Sequence, residues 1–324
     1  MSGEPDNFFS DKIAGAPHPM QTTKIIGHIS QKLDFLNCFA ENRIPQCWLL
    51  AGDRGIGKAS FAWQVSKFLL TTTHKPTDLK IDLNSKDLNS ILEPQSGGTL
   101  SRIISGSEQR VYIVRRGYNE SRKTFFKNIS IDEIRKLQSY CSLSIADGGK
   151  RIIIIDSADD LNKSSGNALL KLLEEPPTNT LFLLISHKSN LLLSTIKSRC
   201  QKLSFSRLNE ADLTAVLATI GCKVNQTEEK ALSILSKGSA GAACRLINSN
   251  CINLYKDILN IISSLPTLNI NKTLQLNQDY FVKAKSDNFE IFFEMMQQFF
   301  LAFARQERCN HQYSQVCRMK KKRL

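Results

Sequence analysis

The sequence has no apolar run approaching the roughly 18–20 residues that a membrane span needs. A helical membrane protein is therefore excluded. None of its nine cysteines stands in a C-x-x-C pair, and their number is odd. That argues against a disulfide framework and leads to an expectation of reduced, mostly buried thiols. The stretch from Met1 to Pro19 is polar and lacks the apolar h-region of a secretory signal, so a cytoplasmic protein is expected. Acidic residues are outnumbered, with 30 Asp and Glu against 43 Lys and Arg, a formal net charge of +13. The excess favours polyanionic partners, nucleic acid above all, without specifying one. Apolar residues make up 41% of 324, enough for ordinary cores distributed over two or three domains.

The segment Gly52-Asp53-Arg54-Gly55-Ile56-Gly57-Lys58 is a complete phosphate-binding loop. Its glycines let backbone N–H groups turn toward a phosphate, and the lysine reaches the terminal phosphates. Cys47-Trp48-Leu49-Leu50 reads as a short buried strand before it. Phe61, Val65, Phe68 and Leu69 fall on one helical face after it. The residue after the lysine, which in such loops normally places a hydroxyl on Mg²⁺, is Ala59. The alternative for the whole segment is a Gly-rich turn without a nucleotide.

Further strands are expected at Val111–Val114, Ile152–Ile155, Leu181–Ile185 and Lys202–Phe205. Helices are expected at Asp34–Ile44, from the Ser130–Glu133 capping box onward, and at Asn167–Glu174 before Pro176-Pro177. Thr71–Gln109 reads as loop with short helical turns. Five strands alternating with helices predict an α/β fold with an open parallel five-stranded sheet. Beyond Arg207 only helices are expected: Asn209–Ile220, Thr227–Lys237, Ala240–Asn248, Tyr255–Leu265, Phe281–Lys285 and Phe289–Arg305. The predicted organisation is a P-loop sheet domain over 1–206 with an extended lead-in, a small helical lid over 207–250, and an all-helical domain over 251–324. The basic run Arg318-Met319-Lys320-Lys321-Lys322-Arg323 reads either as a solvated end or as a DNA contact.

Asp156 closes the Ile152–Ile155 strand, where an acid can hold Mg²⁺ opposite the loop. Ser157 follows it, where a working ATPase of this type usually has Glu. Asp159 and Asp160 read as loop or cap residues. At this point the chain resembles a known family. The stretches from Arg151 to Asn162 and from Asn167 to Pro177, followed by Ser198-Arg199-Cys200, are similar to the AAA+ clamp-loader subunits of bacterial DNA polymerase III. The delta-prime branch, in its alphaproteobacterial style, is the most similar. The likeness runs from about residue 24 to 206.

The resemblance implies nucleotide contacts at Gly52, Gly55, Gly57, Lys58 and Asp156, so that ATP binding is possible, while the departures at Ala59, Ser157 and Gly241 argue against its hydrolysis. It implies that Arg199 is an arginine finger directed at a neighbouring subunit's ATP. The alternative for Arg199 is a surface ion pair. The implied partners are other clamp-loader subunits in a hetero-oligomeric ring, with the sliding clamp and primed DNA reached through the complex. No membrane partner and no metal are expected: relatives with a zinc module use four cysteines, and only Cys141 lies between Lys58 and Lys150. In the Gly238-Ser239-Ala240-Gly241 segment, Gly241 stands where the family's ATPases carry a sensor arginine. The apolar stripe Phe289, Phe292, Phe293, Met296 and Phe300 is core or, by the resemblance, part of a ring-forming domain. Two other readings compete: an active clamp-loader ATPase, and a nucleic-acid-binding protein on a vestigial P-loop fold.

Overall fold

The structure, a computed structural model, describes residues 16–22, 24–74, 88–119, 121–122, 124–143, 149–222, 226–248 and 251–263, with isolated positions 270, 274, 293, 296 and 297. The lead-in before residue 16, most of the helices expected beyond Leu265 and the basic tail lie outside the described residues. Strands are β1 Cys47–Ala51, β2 Val111–Val114, β3 Tyr118–Asn119, β4 Thr124–Phe125, β5 Arg151–Asp156, β6 Thr180–Ser186 and β7 Gln201–Ser204. Helices are α1 Ile29–Ala40, α2 Lys58–Thr71, α3 Leu88–Ile91, α4 Gly98–Ile104, α5 Ile131–Ser142, α6 Lys163–Glu174, α7 Ser194–Lys197, α8 Glu210–Ile220, α9 Gln226–Ser236, α10 Ala240–Asn248 and α11 Cys251–Ser263. Among these described helices none is long and apolar enough to cross a membrane.

Five strands form one parallel sheet in the order β2-β5-β6-β1-β7, as expected for this α/β class. The short antiparallel pair β3–β4 is separate from it. Its two-residue strands are too short to carry a periodic signal, and the sequence pattern does not predict it. The central strands are apolar throughout because successive side chains point to opposite faces and both faces are covered. Trp48, Leu50, Ile152, Ile154, Leu181 and Leu183 pack with Phe35 and Phe39 of α1 and Phe61, Val65 and Phe68 of α2. The alternate residues Leu49, Ile153, Ile155, Phe182 and Leu184 pack with Ile134 and Leu137 of α5 and Leu169 and Leu173 of α6.

Three helices begin four or five residues earlier than the sequence pattern indicates, α11 among them, at Cys251 rather than Tyr255. The first, α1, runs Ile29–Ala40 rather than Asp34–Ile44. Asn42 adopts φ 52°, and Arg43 N–H bonds back to Cys38 O, which closes the helix before Ile44. The sixth, α6, starts at Lys163 because the Asn162 side chain accepts from Ser165 N–H at 2.8 Å. Its first turn, Ser164-Ser165-Gly166, has poor helix propensity. The small residues serve packing: a Cβ on Gly166 would stand 2.8 Å from Leu193 Cδ1.

The chain divides into two compact units. One runs to Val216 and takes in Ser239–Gly241; the other comprises Leu217–Gly238 and the chain from Ala242. In the second, α9 packs on α11, and Leu232, Leu235, Ala243, Leu246, Leu254 and Ile258 are buried.

Arg151 joins the start of β5 to the end of α5. Its guanidinium donates to Cys141 O (2.9 Å) and Leu143 O (2.5 Å) and stacks on Tyr140 at 4.7 Å. It thus satisfies carbonyls that the helix end leaves without partners. Arg151→Ala is expected to cost about 1.5–3 kcal/mol in urea unfolding. Arg151→Lys should recover little of this, because an ammonium cannot fork to both carbonyls.

Candidate functional site

The loop Gly52–Gly57 leaves the carboxyl end of β1 and enters α2 at Lys58. It turns through positive φ at Gly52, Gly55 and Gly57 (155°, 78° and 105°). A Cβ on Gly52 would stand 2.6 Å from Phe205 O, and one on Gly55 would stand 2.6 Å from Ser239 Oγ and 3.1 Å from Gly241 Cα. Space as well as backbone angle therefore demands glycine at both.

Every carbonyl of the loop is held. Lys58 Nζ donates to Gly52 O (2.6 Å) and Asp53 O (2.5 Å). Ser239 Oγ donates to Arg54 O (2.9 Å) and Gly241 N–H to Gly55 O (2.9 Å). His28 Nε2 donates to Ile56 O (2.7 Å), and Phe61 N–H to Gly57 O (2.9 Å). In a trans peptide the N–H points opposite to the preceding C=O. The N–H groups of Gly55, Ile56, Gly57 and Lys58 thus face away from these outer donors. They make a run of donors at a helix N-terminus, an arrangement that suits an anion.

Lys58 is only 2% exposed. Burial lowers its pKa to about 8, while Asp156, Asp159 and Asp53 pull in the opposite direction. Asp156 ends β5 and Ser186 ends β6, so both lie with the loop at the carboxyl edge of the sheet. In open α/β sheets this is the edge where ligands sit. Asp159 accepts from Ser186 Oγ (2.7 Å), Ser157 Oγ (3.3 Å), Lys188 N–H (3.2 Å) and His187 N–H. It caps the end of β6, and Asp160 pairs with Arg116 at 3.3 Å. Both acids thus play the loop and capping parts expected of them.

His187 belongs to no motif that the sequence displays. Burial, then the charge of Lys58, pushes its imidazole down to about 4, so the ring is neutral near pH 7. Its Nδ1 has no hydrogen-bond partner among the described residues. A usable signal exists all the same: it is the first residue after a fully buried strand that pairs with the loop's own strand.

The groups that differ from a working ATPase are structural here. The Ala59 methyl packs against the hydrophobic core. Ser157 is buried and donates to Asp159. Gly241 gives its N–H to the loop. Among the described residues no group of three or more His, Cys, Asp or Glu could hold a metal. Six described cysteines are free thiols, and burial raises Cys47 to about 11 and Cys200 and Cys244 to about 12.

Arg199 stands apart from this cluster. It lies just before β7, at the amino end of a strand parallel to β1, whereas the loop follows the carboxyl end of β1. Strand rise alone separates the two ends by roughly 16 Å. Its guanidinium pairs with Glu174 Oε1 at 2.6 Å and donates to Thr195 O at 2.9 Å, with 33% of the side chain exposed.

Gly55→Ala is expected to lower unfolding stability by about 1–3 kcal/mol, from the left-handed φ and from overlap with the backbone of Gly241. Chemical denaturation against the parent chain measures it, and an unchanged midpoint would show the loop packing to be looser than described.

Residues 28–209 match the family described as "DNA polymerase III, delta subunit". The chain is 27% identical over 258 residues to DNA polymerase III subunit gamma of Buchnera aphidicola subsp. Schizaphis graminum, covering 78% of this chain and 64% of that one. It is 43% identical over 74 residues to subunit delta' of Pseudomonas aeruginosa (23% of each chain). To subunit delta' of Bacillus subtilis it is 27% identical over 230 residues (68% and 61%). The chain spans between about a quarter and two thirds of the length of the first of these relatives. Among solved structures it is similar to a DNA polymerase III gamma subunit-related protein of Thermotoga maritima, with a TM-score of 0.43 and 16% identity, covering 82% of this chain and 83% of that one. The matched segment holds the loop, the acid-ended strand and the Ser-Arg-Cys turn, and by it the chain belongs to the DNA polymerase III delta-subunit family of clamp-loader proteins.

Proposed function

We propose that the chain is the delta-prime subunit of a bacterial clamp loader: it does not hydrolyse ATP, and it lends Arg199 to a neighbouring subunit's nucleotide during clamp loading. The observation that carries this is the division between the two ends of the sheet. At the carboxyl end, a phosphate-type loop keeps Lys58 but has a methyl at residue 59 and a hydroxyl at 157. At the amino end, Arg199 lies too far from its own loop to serve it. A guanidinium suits the task because it is permanently charged and forks onto phosphate oxygens.

The residues Gly52, Gly55, Gly57, Lys58 and Asp156 fit a bound phosphate group, since inward N–H donors and a buried ammonium meet there. ATP bound without turnover is therefore part of the proposal. So are the division at residues 206 and 250, a hetero-oligomeric ring with the sliding clamp and primed DNA as its substrates, and a cytoplasmic location. The long matches to gamma and tau subunits favour a second reading, a hydrolysing motor subunit.

Phosphate release separates the two readings. The purified chain should show no turnover above background; sustained release abolished by Lys58→Ala would establish the motor instead. An anion binds the protonated form of Lys58, whose pKa is about 8. Nucleotide affinity should therefore be level below about pH 8 and fall above it, by up to about tenfold per unit. Titration calorimetry from pH 7 to pH 10 would reveal a flat profile if Lys58 took no part.

Arg199→Ala should leave folding and assembly with partner subunits intact. Single fingers contribute about 10³–10⁵ in rate at their own site. A ring with several sites should therefore lose only part of its DNA-stimulated ATPase, and clamp loading more severely. Arg199→Lys should rescue poorly. Wild-type ATPase and loading in a fully assembled Arg199→Ala complex would reduce the residue to a surface ion pair with Glu174.

A further inference from the structure

We infer that the β3–β4 hairpin and its flank bind a single nucleic-acid strand, with phosphates held by Arg122 and Lys127 and a base stacked on Phe126. The hairpin follows β2, an edge strand of the five-stranded sheet, and forms a separate pair. Residues 115–127 contain Arg115, Arg116, Arg122, Lys123 and Lys127 against the single acid Glu120. Arg122 and Lys127 are exposed, and Phe126 exposes 52% of its surface.

An exposed phenylalanine between exposed cations is not explained by packing. The Phe126 ring lies over Gly117, where an added Cβ would stand 3.2 Å from its Cδ2. The backbone there is fixed by Phe126 N–H donating to Gly117 O at 2.9 Å. Tyr118 and Phe125 meet across the pair with ring centroids 4.8 Å apart and planes tilted by 55°. Phe126 is thus a held platform with its outer side open.

Asp160 takes up one of these cations, Arg116, but among the described residues no acid pairs with Arg122 or Lys127. Asp132 and Glu133 at the start of α5 pair with Arg135 and Lys136. Cations that track a backbone, with an aromatic ring offered to a base, are the combination that binds single strands. A duplex has no unstacked base to place on Phe126, and its bases are already paired, so the strand rather than the duplex is the ligand.

The inference does not depend on the finger role of Arg199, and failure of either leaves the other standing. The test uses the full chain and a fluorescent oligodeoxythymidylate of about 20 nucleotides, with a duplex of the same length as comparison. Anisotropy is followed over a salt series. The double variant Arg122→Ala/Lys127→Ala should weaken strand binding and reduce the log–log salt slope by about 1.4, or about 0.7 for each phosphate that is no longer neutralised. Phe126→Ala should weaken strand binding about fivefold or more and leave duplex affinity unchanged, with Phe126→Trp restoring it.

Four results would each overturn the inference: no strand binding by the parent chain at low salt, an unchanged slope in the double variant, equal effects of Phe126→Ala on strand and duplex, or loss only when Lys320, Lys321 and Lys322 are neutralised.

Discussion

The constraint on which the rest depends is the direction of the loop's peptide groups. A run of N–H donors can face one point only if the carbonyls of the same peptides find donors elsewhere. Here two distant parts of the chain and the loop's own lysine supply them. His28, at the start of α1, holds Ile56 O; Ser239 and Gly241, at the start of α10, hold Arg54 O and Gly55 O; Lys58 holds the two nearest the strand. These bonds join segments 185 positions apart. The loop is therefore a junction of the fold as well as a candidate phosphate site, and retaining its glycines requires no ATP hydrolysis to explain it.

The sheet supplies the second element of the design. Covering both faces leaves only the strand ends for chemistry, and parallel strands make those ends unlike. The carboxyl end collects Lys58, Asp156, Asp159 and His187 around the loop. The amino end carries the Ser198-Arg199-Cys200 turn. In the proposed role, this arrangement would present a binding edge and an opposing arginine at opposite ends of the sheet, where each could meet a different neighbour.

What is legible in the sequence follows from the same geometry. Buried parallel strands such as Ile152–Ile155 and Leu181–Ile185 are apolar without alternation and so readable from composition, whereas the edge strand β7, with only Leu203 buried, is readable only from its place in the alternation of strands and helices. The loop is readable because its glycines are dictated by φ and by close backbone approach. Helix starts are less legible where small residues serve packing, as at Ser164-Ser165-Gly166, and the end of α1 turns on one left-handed residue, Asn42. Within the site, His187 escapes notice because its position depends on β6 lying beside β1, a pairing that crosses about 135 residues and leaves no local pattern. The hairpin at 118–125 escapes for the opposite reason, its strands being too short for any period.

The pair Arg199–Glu174 bears on how an arginine can be both held and released. Its 2.6 Å contact is charge-assisted, yet both side chains are well exposed, and ion pairs in such surroundings are worth little. A carboxylate so placed fixes the direction of the guanidinium without binding it strongly. The remaining bonds, to Thr195 O and Ser198 Oγ, come from the same turn and move with it. A phosphate of a neighbouring nucleotide carries more charge and offers more acceptor oxygens than one carboxylate. It would displace Glu174 at small cost, while the turn keeps the arginine aimed. The partly exposed state of Arg199 is compatible with the proposed finger role, whereas a fully buried ion pair would hold it too firmly for that role.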